Sequence, residues 1–293
     1  MAYSETQLQT WSHQGSTAQS AATYDTIKRV LENRSAPYSS RSFEIFLQGS
    51  YGNDTNIYSD SDVDIVICLT SVYYDDLEAL DQSQRQTYDA QFSPATYSWR
   101  AFRNEVLAWL RHNFGSAVVD GKKAILINGG GQRRDADVLV CAEHRRYFSF
   151  YSATNYNFAK GVVFWTSAGT MIVNFPKQHH DNCVAKHQNS SFRFKPNVRI
   201  LKNYRNALVS SGKLSAGVAP SYFVEGLLWN MPNARFQGQF VTTVSNFVDW
   251  IRSVDSTELL CANELYYLVR DNSPVCWPRA NFQTYIAALA GDW

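Results

Sequence analysis

Three acidic residues on predicted strands could together bind a divalent cation. Asp62 and Asp64 open an apolar, β-branched run at 63–69, and Asp137 lies inside a second such run at 136–141. Residues two apart on a strand point to the same face, so Asp62 and Asp64 should face one point. Carboxylates this close repel one another unless a cation neutralises them, and hard oxygen ligands suit Mg²⁺. Asp62, Asp64 and Asp137 are therefore the predicted metal ligands and catalytic residues of a phosphoryl-transfer site.

A polar turn ahead of these acids could hold phosphate groups. Gln48, Gly49 and Ser50 stand at the end of a predicted strand at 43–48, and eleven residues separate Ser50 from Asp62. Glycine lets backbone N–H groups approach phosphate oxygens closely, and a serine hydroxyl adds a donor. A Gly-Ser pair or an Asp-x-Asp pair alone is weak, but their order at strand boundaries, with a third acid, indicates nucleotide chemistry.

The sequence leaves simpler explanations of the acids open. Asp62 and Asp64 could face solvent beside a turn that is rich in Asp, Ser and Asn. Asp135 competes with Asp137, although it lies at the edge of its β-branched run beside two arginines. The metal site is favoured because the acids and the glycine turn occur together.

The predicted elements place the acids in the first part of the chain. Apolar periodicity and turn residues predict strands at 43–48, 63–69, 123–128, 136–141, 162–166 and 171–175. They predict helices at 4–33, 75–89, 98–114, 196–211, 220–230 and 239–253, and Gly15 could bend the first of these. The first half therefore combines a mixed sheet with helices, and the second half, from residue 177, is mainly helical.

Composition narrows the function classes. At 293 residues and 45% hydrophobic residues the chain can bury a sizeable core, which excludes a disordered protein. A formal net charge of +1 gives no basic surface for a long nucleic acid. The five cysteines are widely spaced and form no disulfide framework. With no signal-peptide pattern and no apolar run of about 18 residues, the expected location is the cytoplasm, without a membrane partner.

The two segments that carry the turn and the acidic pair resemble a known family. FLQGSYGNDTNI at 46–57 and DSDVDIVI at 60–67 resemble the bacterial cGAS/DncV-like nucleotidyltransferases, the oligonucleotide cyclases of anti-phage signalling systems. Further segments keep the family order at 11–15, 174–177, 199–203 and 219–225. The resemblance covers nearly the whole chain. It implies an α+β, polymerase-β-like nucleotidyltransferase fold, with a core lobe and long N-terminal spine helix at 1–175 and a helical lobe at 176–293 that completes the nucleotide cleft.

The resemblance also implies an activity. A cyclic dinucleotide synthase would join two NTPs, ATP with UTP or GTP, through 3′–5′ phosphodiester bonds and release pyrophosphate. It would use two Mg²⁺ ions, with Mn²⁺ as an alternative, act as a monomer, and signal to a cyclic-nucleotide-activated effector. One alternative is a template-independent transferase that makes linear products or modifies RNA ends or a small-molecule hydroxyl. Another is an inactive nucleotide-binding module, against which the three acids argue.

Residue by residue, the resemblance assigns further nucleotide contacts. Gln48, Gly49 and Ser50 match its phosphate-contacting turn. Asn174 matches a residue linked with base choice in the uridine-accepting branch, and Lys202 matches a lysine that contacts the triphosphate. Ser221 matches a serine that contacts the phosphates, and Tyr222 matches an aromatic residue that stacks on a base. Ordinary roles stay open for three of these: a strand-end amide at Asn174, a solvated lysine at Lys202 and a core aromatic at Tyr222.

A group of histidines and a cysteine is a weaker candidate. His179, Cys183 and His187 are spaced by four residues, as on one helical face, and His180 lies beside them. Structural zinc sites take four ligands and are rarely built from one short helix. We therefore expect a buried or groove-lining role for these residues rather than zinc binding.

Overall fold

The computed structural model of the chain describes residues 3–15, 17–58 and 62–293. Its strands are β1 Phe43–Leu47, β2 Val63–Asp76, β3 Val118–Asp120, β4 Ile125–Ile127, β5 Ala136–Ser152, β6 Asn155–Trp165 and β7 Met171–Asn174. Its helices are α1 Glu5–Ser12, α2 Ala18–Leu31, α3 Gly49–Gly52, α4 Gln82–Asp89, α5 Trp99–Phe114, α6 Pro176–Asn189, α7 Phe194–Ser210, α8 Ser221–Asn230, α9 Phe240–Ser253 and α10 Arg279–Asp292. Residue 16 of the predicted first helix and residues 60 and 61 of the acidic motif lie outside the described residues.

In the described part of the chain, the strands form one sheet with β2 and β5 at its centre. The order is β1-β2-β5-β4-β3, while β6 pairs with β5 and β7 pairs with β6. β2 and β5 are parallel, and the other pairs are antiparallel. The start of β2 is buried on both faces, as its continuous β-branched sequence predicts for a central strand.

The chain divides into two compact units. A helical unit contains Met1–Ser16, Gly49–Asp60 and Lys177–Trp293, and a sheet unit contains Thr17–Gln48 and Ser61–Pro176. This division differs from the predicted domains at 1–175 and 176–293. The junction near residue 176 is similar, but α1 belongs with the later helices because Leu8 joins their core and Trp11 contacts Tyr204.

The first predicted helix, at 4–33, is interrupted. α1 ends at Ser12 and α2 begins at Ala18. Between them, the Gly15 N–H donates to the Asn56 carbonyl over 3.2 Å, and a Cβ at Gly15 would lie 2.7 Å from the Ile57 carbonyl oxygen. This backbone contact needs a glycine. The predicted helix at 4–33, which allowed a bend at Gly15, is therefore broken there into two helices.

Other predicted elements differ mainly in length. The helix expected at 75–89 begins only at Gln82, capped by Asp81, because β2 continues to Asp76. β5 and β6 form a long hairpin, of which the sequence predicted only the ends away from the turn, at 136–141 and 162–166. The predicted α5 is confirmed, with Ser98 accepting a hydrogen bond from the Ala101 N–H. α10 was not predicted.

Two expectations from the composition concern disulfide bonds and membrane-spanning helices. All five cysteines are free and buried. Within the described residues, no helix combines the length and apolar character needed to cross a bilayer.

Candidate active site

The sheet brings the predicted metal ligands of β2 and β5 side by side. Asp64 is the register partner of Asp137, and the neighbouring pair is Val63 with Ala136. Residues paired across neighbouring strands project to the same face, so both carboxylates share one face of the sheet. Asp62 precedes β2 by one residue, and the Val63 N–H donates to the Asp135 carbonyl over 3.1 Å, which holds the start of β2 against β5.

The electrostatics of Asp137 show how crowded these acids are. Burial raises the pKa of Asp137, and the carboxylates of Asp62 and Asp135 raise this pKa further. The side chains of Asp64 and Asp137 are half-buried and Asp62 is exposed, so the group opens toward solvent on one side. A set of hard, mutually repelling oxygen donors of this kind fits a divalent cation such as Mg²⁺.

The competing acid, Asp135, has a local structural role. Its Oδ1 accepts a hydrogen bond of 2.5 Å from the Gly129 N–H, across the glycine-rich turn between β4 and β5. A Cβ at Gly129 would lie 2.8 Å from the Arg133 carbonyl oxygen, so the turn is tight. The Asp135 side chain therefore stabilises the turn, whereas Asp137 lies on the strand beside Asp64.

The Gln48-Gly49-Ser50 turn connects β1 to the short helix α3. The Gln48 N–H donates to the Asp64 carbonyl over 3.1 Å, which ties the end of β1 to the strand of the acidic pair. Gly49 has a φ of +64°, a conformation that glycine adopts without steric cost. The carbonyls of Gly49 and Ser50 accept from the N–H groups of Asn53 and Thr55 over 3.1 and 2.9 Å.

Asn174 is the last residue of β7 in the sheet unit. Its register partner is Val162, and its side chain is half-buried. A Cβ at Gly161 would lie 2.7 Å from the Asn174 carbonyl oxygen, so Gly161 allows a close approach of the two strands there. Base choice by Asn174 and the simpler role of a strand-end amide both remain predictions.

In the helical unit, Lys202 is buried rather than solvated. Its side chain on α7 is 1% exposed, and its Nζ donates to the Thr55 carbonyl over 2.9 Å. Ser221 begins α8 directly after Pro220, and its Oγ accepts from Arg205 over 3.1 Å. The predicted phosphate contacts of Lys202 and Ser221 remain predictions.

Tyr222 presents part of its ring to solvent. It is 37% exposed, its ring stacks on that of His179 at 5.0 Å between centroids, and its hydroxyl accepts from Asn263. The ring is therefore held at one end and on one face. Such an aromatic can stack on a nucleobase.

The four residues of the weaker histidine and cysteine candidate do not form one group. His180 Nδ1 lies 3.2 Å from Asn53 Oδ1, and His187 Nδ1 accepts from the Lys195 N–H. His179 and Cys183 are buried, as predicted.

His179 and Cys183 lie instead beside Glu225 of α8. Among the described residues, this is the one group of three metal-ligand types whose donor atoms all lie within 4.8 Å of one another. Burial acts to raise the pKa of Glu225, but the hydrogen bond and charge of His179 and the charge of Lys202 lower it. The three residues are therefore part of a buried polar network that includes the charge of Lys202.

Three polar residues of the helical unit with contacts described here were not singled out from the sequence: Lys195, Arg205 and Glu225. A pattern could have revealed Lys195, since it lies seven residues before Lys202 on the same face of α7 as buried apolar residues. No local sequence pattern marks Glu225 or Arg205, because their hydrogen-bond partners are distant in sequence or lie in a loop.

Comparison with known proteins identifies the family. A model of the cGAS/DncV-like nucleotidyltransferase C-terminal helical domain matches residues 181–293. The cyclic nucleotide synthase CdnE01 of Staphylococcus haemolyticus is 35% identical, over 98% of this chain and 97% of its own length. The chain belongs to the cGAS/DncV-like nucleotidyltransferases.

Two further comparisons confirm the fold and the class of enzyme. The cyclic UMP-AMP synthase of Rhodothermus marinus is 34% identical, over 88% of this chain and 87% of its own length. A solved structure of the Rhodothermus marinus CdnE c-UMP-AMP synthase with Apcpp and Upnpp matches with a TM-score of 0.88 at 32% identity and covers 98% of this chain and 95% of that chain. The predicted polymerase-β-like fold and nucleotidyltransferase class are therefore confirmed for this cGAS/DncV-like chain.

Proposed function

We propose that this cGAS/DncV-like nucleotidyltransferase joins two NTPs into a 3′–5′-linked cyclic dinucleotide. In each of two steps a 3′-oxygen would bond to an α-phosphorus, and the bond from that phosphorus to the pyrophosphate leaving group would break. The observation that carries the proposal is the register pairing of Asp64 with Asp137, with Asp62 two residues before Asp64.

Asp62, Asp64 and Asp137 would hold the metal ions, which we propose are two Mg²⁺. Bound there, the ions would lower the pKa of the attacking hydroxyl and stabilise negative charge on the phosphate oxygens. A cation would favour the charged form of Asp137, whose pKa is raised by burial and by the charges of Asp62 and Asp135. Mn²⁺ would be accepted by the same oxygen donors.

Residues of the helical unit would bind the substrate itself. Backbone N–H groups at Gly49 and Ser50 would donate to phosphate oxygens, with Ser221 as a further hydroxyl donor. The partly exposed Tyr222 would stack its ring on a base. Arg205, which donates to Ser221 Oγ, would fix the direction of that hydroxyl.

We further propose a product that contains one pyrimidine, as uridine joined to a purine. Asn174 offers both donors and an acceptor to a pyrimidine edge. Similarity to the cyclic UMP-AMP synthase of Rhodothermus marinus supports this choice. The product would activate a separate effector in anti-phage defence, and the enzyme would act as a cytoplasmic monomer.

The experiment is to incubate the purified protein with Mg²⁺ and each pair of NTPs, and to identify phosphatase-resistant products by mass spectrometry. We expect a cyclic dinucleotide from ATP with UTP, and none from the double variant Asp62→Asn with Asp64→Asn. Linear products alone would overturn the cyclase and leave a template-independent transferase. Absence of pyrophosphate release from any NTP would leave an inactive nucleotide-binding module.

A further inference from the structure

Three of the four side chains of the polar segment 53–56, which follows α3, are buried in the helical unit. The side chains of Asn53, Thr55 and Asn56 are 7%, 1% and 0% exposed. Polar groups at this depth cost free energy unless they are hydrogen-bonded, so each needs a partner in the fold. Asp54, between them, has a φ of +54°, which only a few non-glycine residues adopt.

Side chains of α6 and α7 hold the first half of this segment. Asn53 Oδ1 lies 3.2 Å from His180 Nδ1, and Asp54 Oδ2 accepts from Lys195 Nζ over 2.9 Å. The Asp54 carbonyl accepts from Arg199 over 2.6 Å. The left-handed conformation of Asp54 is therefore fixed both at its side chain and at its backbone.

Side chains of α7, α8 and the loop after α1 hold the second half. The Thr55 carbonyl accepts from Lys202 Nζ over 2.9 Å, and Thr55 Oγ1 donates to Glu225 Oε2 over 3.3 Å. Asn56 Oδ1 accepts from Gln14 over 2.7 Å. Every residue of the segment is thus bonded to a side chain from another part of the helical unit.

The segment in turn fixes the backbone of the glycine turn. The N–H groups of Asn53 and Thr55 donate to the carbonyls of Gly49 and Ser50 over 3.1 and 2.9 Å. A shift of the segment would therefore move the N–H groups that we propose as phosphate donors. Donors contribute most when they are held in place before the charge arrives.

Stability of the fold does not by itself explain the three buried charged residues. Lys195, Lys202 and Glu225 are all buried, and well-packed apolar residues often stabilise a core as much as buried ion pairs do. What charged and hydroxyl groups add is a defined geometry, because each bond joins one donor atom to one acceptor atom.

We propose that Lys195 and Glu225 are positioning residues, which hold segment 53–56 and, through it, the Gly49–Ser50 backbone ready for the triphosphate. The inference rests on the proposed function, because it assumes that the turn binds phosphate.

The test removes one bond of the network at a time. Thr55→Val deletes the hydroxyl that donates to Glu225, and Thr55→Ser keeps it. Asp54→Asn weakens the bond from Lys195. Asp271→Asn is a matched control, because Asp271 pairs with Arg279 in the same unit and its side chain is 55% exposed, against 58% for Asp54. The readouts are KM and kcat for NTPs, and hydrogen exchange of the amides at 50–55.

We expect the KM for NTP to rise about tenfold in Thr55→Val and about threefold in Asp54→Asn, at unchanged kcat. Thr55→Ser and Asp271→Asn should keep the wild-type KM. A purely structural role would instead lower the folded fraction, which lowers apparent kcat at constant KM. If Thr55→Val folds poorly, Asp54→Asn carries the kinetic test, because its side chain is exposed.

Hydrogen exchange separates this inference from the proposed function. Amides 50–55 should exchange faster in Thr55→Val than in Thr55→Ser, whether or not the protein turns NTPs over. An inactive wild type would therefore overturn the proposed function alone. Wild-type KM and wild-type exchange in both Thr55→Val and Asp54→Asn would overturn the positioning role.

Discussion

At the scale of single residues, local spacing singled out Asp62 and Asp64 as candidate metal ligands but did not specify which residues pair with them. The period of a strand is enough to place Asp62 and Asp64 on one face. The pairing of Asp64 with Asp137 depends on a parallel register between β2 and β5, which no local pattern specifies. Burial of Lys202 was missed for a similar reason, since its acceptor on Thr55 is distant in sequence.

Asn174 gives a prediction about the choice of base. In Asn174→Ala we expect the use of UTP to fall about tenfold, because a pyrimidine edge loses its hydrogen-bonding partner. The use of ATP should change little. Competition between ATP and UTP, followed by mass spectrometry of the products, measures this ratio.

The control for this substitution is Asn157→Ala, since Asn157 is exposed on β6 of the same unit. An unchanged UTP preference in Asn174→Ala, or an equal loss in the control, would assign Asn174 to an ordinary strand-end role.

At the scale of elements, periodicity predicted the central parts of helices and strands better than their ends. α5 agrees within one residue because Ser98 caps it and Gly115, with a φ of +57°, ends it. The helix predicted at 4–33, with a possible bend at Gly15, is instead two separate helices, because the helical pattern continues through the break. There, a tertiary contact with residues 56 and 57 overrides local propensity.

Gly15 gives a prediction about stability. Gly15→Ala should lower the free energy of unfolding by about 1–3 kcal/mol, because a Cβ 2.7 Å from the Ile57 carbonyl oxygen forces the backbone apart. Urea unfolding followed by circular dichroism measures the change.

Gly291→Ala is the matched comparison in the same unit. Gly291 lies in α10 with no neighbouring atom within 4 Å of its added Cβ, so alanine should raise stability by about 0.5 kcal/mol. Equal effects of the two substitutions would show that the close approach at Gly15 is unimportant.

At the scale of the whole molecule, the fold class could be predicted, whereas local sequence gave no sign that early segments group with the later helices. The mixture of β-branched runs followed by helices indicated a sheet and then a helical part, and the motif order indicated the family. The assignment of α1 and segment 49–60 to the helical unit depends on long-range contacts such as Trp11 with Tyr204. Those contacts join residues that are far apart in sequence, so no window of sequence contains them.

The whole account depends on a divalent-cation site made by Asp62, Asp64 and Asp137. The most direct measurement compares cyclic dinucleotide formation, with Mg²⁺ present, by Asp137→Asn and by Asp135→Asn. These neighbours receive the same substitution, but Asp135 serves the Gly129 turn, and an asparagine oxygen can still accept that hydrogen bond.

We predict that Asp137→Asn lowers the rate about a thousandfold, because metal ligation supplies several kcal/mol of transition-state stabilisation. Asp135→Asn should stay within about threefold of the wild type, since its turn is preserved. A near-normal rate in Asp137→Asn, or a larger loss in Asp135→Asn, would contradict the central claim.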